Sequence, residues 1–259
     1  CIRDSSHGAL AGQMCFEEGL GKVTYGTGSS VMVNIGEKAA VAPRGLVTSI
    51  GFAALGKIFY AFEGNIHCTG ATIKWLEQRL QMISSPDEAE ELAATVKDNG
   101  GVYVVPAFAG LGAPWWQGDV KAAILGMTLG TGKPHVLRAA LESIAYQVND
   151  LVRAMTSQAG IKLKEVRADG GPTKNKFLMQ FQADLLATKV IRPRVTETTA
   201  LGAAYLAGLA VGYWESVGEI RKQWQAEHIF EPAADRTQIA KAVAGWEDAV
   251  RRVLREKND

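Results

Sequence analysis

Two adjacent glycines, Gly170 and Gly171, stand between a short apolar strand pattern and a helical pattern. Glycine has no Cβ and accepts backbone angles closed to other residues, so a flat ligand or a phosphate can approach the main chain there. We expect Asn175 on the first turn of the next helix, where unpaired backbone N–H groups attract anions. The spacing favours a nucleotide contact, although a plain tight turn, with Asp169 bonding its own backbone, fits the same residues.

A second glycine-rich turn, residues 26–28, interrupts alternating apolar residues between Lys22 and Ile35, and this pattern predicts a β-hairpin. Successive N–H groups and the Thr27 hydroxyl could face one point there and bind phosphate, or the segment could be only a hairpin turn. Gly70 begins a helical pattern and provides a third turn. The order of these parts along the chain favours a domain that wraps one nucleotide from several turns.

Other site motifs are disfavoured. Residues 130–134 resemble a P-loop, but Met127 replaces its first glycine and Pro134 replaces the hydroxyl residue that holds magnesium. Residues 26–31 lack the third glycine of a dinucleotide fingerprint. Three dispersed cysteines and four histidines without metal-ligand spacing predict no metal-binding residues.

Composition narrows the classes of function. The 259 residues are 47% hydrophobic and carry 28 basic against 27 acidic side chains, so the net charge of +1 gives little attraction for nucleic acid. The odd, dispersed cysteines fit a reducing cytoplasm. Residues 198–214 are uncharged but rich in Gly and Ala and short for a bilayer, so we expect a closely packed buried helix and no membrane insertion. Because the chain opens on Cys1 within an interior-like segment, we expect a longer polypeptide.

Strand and helix patterns alternate along the chain, which predicts an α/β or α+β fold. Apolar residues recur at helical spacing from His135 to Met155, and Gly160 supplies a stop. Short strand patterns surround Val166 and run from Lys189 to Ile191. Residues 106–116 are too rich in Gly and Pro for regular structure and predict a loop with exposed aromatic side chains.

Several blocks together resemble the C-terminal half of the FGGY family of carbohydrate kinases, over residues 6–246. They are residues 24–28, 34–38, 106–116, 141–147, 169–178 and 199–208. The resemblance implies an α/β domain of the actin-like ATPase (ribonuclease H-like) fold. It also implies that residues 1–259 form the C-terminal nucleotide-binding domain of a two-domain sugar kinase, whose N-terminal domain is absent from this chain.

The resemblance, closest to members that act on glycerol, implies transfer of the ATP γ-phosphoryl group to a polyol hydroxyl, with Mg²⁺ bridging the phosphates. The partner is a small-molecule polyol, and the intact enzyme is expected to be a cytoplasmic homo-oligomer. The residues carried over are Asp4 as the catalytic base, Ser5 and Ser6 for the substrate, and Thr27, Gly28, Gly70, Lys74, Gly170, Gly171 and Asn175 for the nucleotide.

This sequence departs from the family pattern at the base. Ser5 holds the position of the catalytic aspartate and Asp4 precedes it, so either Asp4 serves through a one-residue shift, or the base is lost, or the opening residues are not native. Gln117 and Lys121 also differ from relatives. Phosphorylation of another polyol or a ketopentose, and a catalytically silent ATP-binding domain, therefore remain alternatives. We expect the chain alone to lack the closing half that excludes water, and so to be inactive.

Overall fold

A mixed β-sheet organises the chain in the computed structural model, which describes residues 6–255. Within these residues the strands of the large sheet lie in the order β3-β4-β2-β1-β7-β8-β9. β7 pairs in parallel with both β1 and β8, and the other neighbours pair antiparallel. The strand bounds are β1 Leu20–Tyr25, β2 Ser29–Gly36, β3 Val47–Ala54, β4 Lys57–Ile66, β7 Glu165–Asp169, β8 Val190–Pro193 and β9 Ala226–Phe230, with β5 Tyr103–Val105 and β6 Ala123–Leu125 forming a separate pair.

Helices lie before, between and after these strands along the chain. Their bounds are α1 Ser6–Gly12, α2 Gly70–Gln78, α3 Pro86–Ala93, α4 Lys133–Ala159, α5 Lys176–Leu186, α6 Thr198–Ala210, α7 Val217–Gln223 and α8 Arg236–Arg255. The predicted α/β character is confirmed. The helix expected from His135 to Met155 is present as α4 and ends at Gly160 in a left-handed conformation.

The main core lies between α4 and the hairpin strands. Leu137, Ile144 and Leu151 on α4 are fully buried in the same cluster as Val31 and Phe62 of the sheet. Their spacing of seven residues keeps these three side chains on one helix face, and Val23 of β1 and Val31 of β2, paired in register, contribute to the opposing apolar surface. The predicted hairpin between Lys22 and Ile35 is confirmed by the antiparallel pairing of these strands.

The region after the double glycine differs from the expectation. Gly171–Lys174 form a short 3₁₀ helix, and Asn175 is the N-cap of α5 rather than a residue of its first turn. Pro172 is the second residue of this short helix, and its fixed φ suits the first turn of a helix. The chain thus takes one additional turn before α5 begins.

Helix α6 is closely packed, as predicted, but on one face only. Its buried residues are Thr198, Gly202, Tyr205, Gly208 and Leu209. A Cβ at Gly202 would overlap the backbone carbonyl of Gly8, so glycine allows α1 and α6 to touch through their main chains. Within residues 6–255, no helix combines the length and apolar character that a bilayer crossing requires. The loop at residues 106–116 exposes Phe108, Trp115 and Trp116, as expected.

Candidate functional site

The turn of the β1–β2 hairpin meets the start of α2 through main-chain hydrogen bonds. The Gly70 N–H donates to the carbonyl of Gly26 at 3.0 Å. The N–H groups of Thr69 and Ala71 both donate to the carbonyl of Thr27, each at 3.0 Å. Two of the turns expected to share a ligand are therefore joined directly.

Glycine is required where these two turns meet. A Cβ at Gly70 would lie 2.5 Å from the Gly26 carbonyl oxygen, closer than real contacts allow. The buried Thr69 side chain reinforces the junction, since its Oγ1 lies 3.1 Å from the Gly26 oxygen and 2.8 Å from Ser29 Oγ. The contact between the hairpin turn and the start of α2 is consequently rigid and closely packed.

The double glycine is brought to the same place by the parallel pairing of β1 with β7. Thr24 is in register with Asp169, so the residues that follow each strand leave the sheet side by side. Gly170 has a φ of +93°, and a Cβ there would overlap the carbonyl of Tyr25. Only glycine tolerates both conditions. The three predicted turns therefore converge.

The outer side of these turns is open. Thr27 and Gly171 are exposed, and a Cβ built on Gly171 meets no atom within 4 Å. Lys74 lies one helical turn after Gly70 and is also exposed. Exposed main chain beside a rigid glycine junction leaves room for a flat ligand and its phosphates.

The start of α5 does not offer the free N–H groups that we expected around Asn175. The Asn175 Oδ1 atom accepts from the Leu178 N–H at 2.7 Å. The Glu90 carboxylate of α3 accepts from the Phe177 N–H at 3.0 Å. These two N–H groups are therefore paired within the protein, and the expectation that they are unpaired is corrected.

Asp169 connects elements instead of closing its own turn. It is buried, and its Oδ2 atom accepts from Gln13 Nε2 at 2.8 Å and from the hydroxyl of Thr198. The carboxylate thereby ties the end of β7 to the segment after α1 and to the start of α6. The alternative, that the Asp169 carboxylate bonds its own backbone in a tight turn, predicts other partners for Oδ2 than the side chains of Gln13 and Thr198.

A cavity of about 370 Å³ lies beside the hairpin turn. Of the predicted site residues, Ser6 and Gly28 line it, while Thr27, Gly70, Lys74, Gly170, Gly171 and Asn175 do not. The Ser6 Oγ atom lies 2.7 Å from Ser30 Oγ at the edge of this cavity. Asp4 and Ser5 lie outside the described residues.

Lys22 belongs to this cavity and was not among the predicted site residues. Its side chain is fully buried, and its Nζ lies 3.2 Å from Thr24 Oγ1 and 3.1 Å from Ser30 Oγ. Burial lowers the pKa of Lys22 to about 8, opposed by the negative charges of Asp169 and Glu63. The available signal was the two-residue spacing of Lys22 and Thr24, which places both on one face of β1.

Metal-binding clusters are absent from the part of the chain that the structure describes. In residues 6–255, no three His, Cys, Asp or Glu side chains are grouped so as to hold an ion. The buried acid nearest to the turns in sequence, Asp169, already uses one oxygen for two hydrogen bonds.

An α/β domain whose glycine turns converge at the ends of adjacent strands is typical of nucleotide-binding proteins. The family model for the C-terminal domain of the FGGY family of carbohydrate kinases matches residues 21–211. The chain belongs to this family, and the actin-like ATPase fold expected from the sequence is confirmed.

The relatives include curated glycerol kinases. The chain is 51% identical to the glycerol kinase of Geobacillus sp. (strain WCH70) over 246 residues, which cover 95% of this chain and 50% of that protein. It is 52% identical to the glycerol kinase of Thermus thermophilus, with the same shares covered. The chain spans about half the length of the curated relatives it matches.

Solved structures agree with this placement. The crystal structure of Plasmodium falciparum glycerol kinase with ADP superimposes with a TM-score of 0.91 at 40% identity, covering 96% of this chain and 50% of that one. A ligand-bound xylulose kinase from Lactobacillus acidophilus reaches a TM-score of 0.80 at 19% identity, covering 97% and 49% of the two chains. The second similarity supports the fold alone.

Proposed function

We propose that this chain is the C-terminal, nucleotide-binding domain of a kinase that transfers the γ-phosphoryl group of ATP to glycerol. The observation that carries the proposal is the junction of three glycine turns, at Gly26 to Gly28, Gly70 and Gly170, with an open outer face. Support comes from relatives named as glycerol kinases, to which the chain is about 50% identical, and from the ADP named in the Plasmodium falciparum structure. On this proposal residues 1–259 form one domain, and an N-terminal domain lies on another part of the protein.

The nucleotide is proposed to lie across the three turns. Thr27 and Gly28 contact the phosphates with main-chain N–H groups and the Thr27 hydroxyl. Gly70 and Lys74 contact the nucleoside from the α2 side, and Gly170, Gly171 and Asn175 contact it from the β7–α5 side. Since phosphoryl transfer depends chiefly on positioning and charge stabilisation, a rigid junction of this kind is suited to it.

Magnesium is proposed to reach the site with the nucleotide. The described residues include no acidic cluster for it, and Mg²⁺ commonly keeps several waters while binding substrate phosphates through few protein ligands. This domain therefore contributes positioning of the phosphates and does not hold the ion by itself.

The acceptor is proposed to enter from the cavity side of the hairpin turn, where Ser6 lies. Ser5 and Ser6 contact the polyol, and Asp4 accepts the proton of the attacking hydroxyl. Asp4 and Ser5 are outside the described residues, and their roles rest on the family resemblance. Ser5 at the usual base position and Gln117 after the aromatic pair keep two alternatives open, which are a kinase for another polyol or ketopentose and a silent ATP-binding domain.

The proposal also has consequences for the localisation, partners and oligomeric state of the protein. A cytoplasmic enzyme fits the substrate, ATP, and the two buried free cysteines, Cys15 and Cys68. The net charge of +1 gives no reason to expect a nucleic-acid partner. A homo-oligomeric state of the intact enzyme stays a prediction.

The test combines ATP binding and turnover. The chain is titrated calorimetrically with ATP, alone and mixed with the separately expressed N-terminal half of the Thermus thermophilus glycerol kinase, and phosphate transfer is then measured on glycerol, other polyols and a ketopentose. The proposal predicts ATP binding in both samples and transfer only in the mixture, fastest with glycerol.

Each other outcome has a distinct meaning. Equal rates on a ketopentose contradict glycerol as the substrate. Binding without turnover in either sample favours the silent domain, and the Ser5→Asp variant then shows whether the base position is the cause. Absence of ATP binding in both samples contradicts the nucleotide site itself.

A further inference from the structure

The cavity beside the hairpin turn is rich in hydroxyl groups. Its lining includes Ser6, Thr24, Ser29, Ser30 and Thr199, and none of the described residues that line it carries a carboxylate. Lys22 is the charged residue among them. A cavity with donors and one positive charge is suited to an anion.

The hydrogen bonds around Lys22 have a direction. An ammonium group donates and cannot accept, so Ser30 Oγ and Thr24 Oγ1 are acceptors toward Lys22 Nζ, at 3.1 Å and 3.2 Å. Each of these hydroxyls then keeps its own proton for another acceptor. Ser30 Oγ lies 2.7 Å from Ser6 Oγ, so it can donate to Ser6, whose proton is left for the cavity.

The charge of Lys22 is incompletely compensated inside the protein. Within the part of the chain that the structure describes, the oxygens that accept from its ammonium, including the Ser30 carbonyl at 3.5 Å, are neutral. A buried cation whose hydrogen bonds go to neutral oxygens is costly, and a ligand anion would reduce that cost. Lys22 is thus expected to stabilise the domain with a bound anion more than the empty domain.

We propose that Lys22 is a positioning residue for a phosphate dianion in this cavity, acting through the hydroxyls of Thr24, Ser30 and Ser6. The buried ammonium makes Thr24 and Ser30 acceptors, so that the Thr24 proton faces the ligand, and Ser30 donates to Ser6, whose own proton then faces the ligand. The inference rests on the proposed kinase function and identifies the ligand as the phosphoryl group, either as the γ-phosphate of ATP or as the phosphomonoester of the product.

If Lys22 positions a bound phosphate in this way, phosphate binding should increase the protonation of Lys22. The pKa of Lys22 is lowered to about 8 by burial, while Asp169 of β7, Glu63 of β4 and Cys15 after α1 face it and raise it in part. A dianion in the cavity adds a further negative charge and raises this pKa again. Near pH 8, phosphate binding should therefore take up protons.

The experiment titrates inorganic phosphate into the 259-residue chain by calorimetry at pH 8, in buffers of different ionisation enthalpy, and repeats it with glycerol 3-phosphate and with ATP. The matched variants are Lys22→Met, which keeps the length of the side chain, and Lys97→Met, which changes an exposed lysine outside the cavity. Thermal unfolding of each variant checks the fold.

The wild type and Lys97→Met should bind phosphate with proton uptake. Lys22→Met should bind it about tenfold more weakly, the scale of one lost charge-assisted hydrogen bond, with no uptake. ATP that displaces phosphate identifies the γ-phosphate position, and glycerol 3-phosphate that does so without ATP identifies the product. Equal phosphate affinity in a folded Lys22→Met, or absence of phosphate binding by the wild type, overturns the inference. ATP binding in the latter case would leave the proposed function intact.

Discussion

Lys22 and Arg167 are buried cations on neighbouring parallel strands, paired in register, yet their surroundings differ. The Arg167 guanidinium donates through Nε to Glu165 at 2.8 Å and also donates to the carbonyl of Gln13. It further lies over the Trp224 ring, 4.3 Å from the centroid. Among residues 6–255, the acceptors of Lys22 Nζ are neutral oxygens beside an open cavity.

This difference separates stability from function. A cation with an anion, a carbonyl and an aromatic ring around it is fully used in the folded domain, and its role is to hold β7 against the segment after α1. A cation that lines a cavity and donates to neutral oxygens costs stability until a ligand anion binds. Two neighbouring positions of one sheet thus contribute oppositely to the stability of the unliganded domain. Arg167 stabilises it, and Lys22 destabilises it.

Arg167→Met should give the largest loss of stability. It leaves the Gln13 carbonyl and the partly buried Glu165 without their donor, so the free energy of unfolding should fall by roughly 3 kcal/mol. Urea denaturation followed by circular dichroism measures it. Arg153→Met is the control, because its pair with Glu247 is exposed and should matter little. Equal losses in the two variants would remove the special role of Arg167.

Gly70→Ala tests the rigidity of the junction between the hairpin turn and the start of α2. The new Cβ would lie 2.5 Å from the Gly26 oxygen, so the unfolding free energy should fall by about 1–3 kcal/mol and ATP binding should weaken as the turns separate. Gly218→Ala in α7 is the control, since the nearest atom there is Ser216 Oγ at 3.5 Å. Unchanged ATP affinity in Gly70→Ala would show that the junction is only structural.

Lys22→Met should behave oppositely to Arg167→Met. At pH 7 its free energy of unfolding should exceed that of the wild type by roughly 1 kcal/mol, because the substitution removes an incompletely compensated buried charge. The folded pKa of about 8 lies below the ordinary value of 10.5, so between these values the unfolded chain binds more protons and wild-type stability rises with pH.

The advantage of Lys22→Met should therefore shrink from pH 7 to pH 10. Urea titrations at several pH values measure this change. A destabilisation of Lys22→Met as large as that of Arg167→Met, at all pH values, would make the two cations equivalent and end the comparison.

Gly171→Ala should have the smallest effect on stability. A Cβ there meets nothing within 4 Å, so the unfolding free energy should stay within about 0.5 kcal/mol of the wild type, while ATP affinity falls a few-fold if the nucleotide uses that space. Gly118→Ala, also in open space, is the control for both measurements. Identical ATP affinities in the two variants would move the nucleotide away from Gly171.

The sequence predicted the parts of the fold that depend on local patterns. Alternating valines gave the hairpin, helical spacing gave α4, and adjacent glycines marked turns that do converge. It did not show that Glu90, far along the chain, occupies the start of α5, because such a contact depends on how helices pack. Lys22 was missed for the same reason, since a lysine in a strand reads as solvent-facing until the sheet is assembled.

The central claim is that three distant turns bind one adenine nucleotide. The most direct measurement is a crystal structure of the chain soaked with ADP or a non-hydrolysable ATP analogue. The account predicts phosphates against Thr27 and Gly28, with the nucleoside between Gly70 and Gly171. A nucleotide bound elsewhere on the domain, with these turns free, would contradict it.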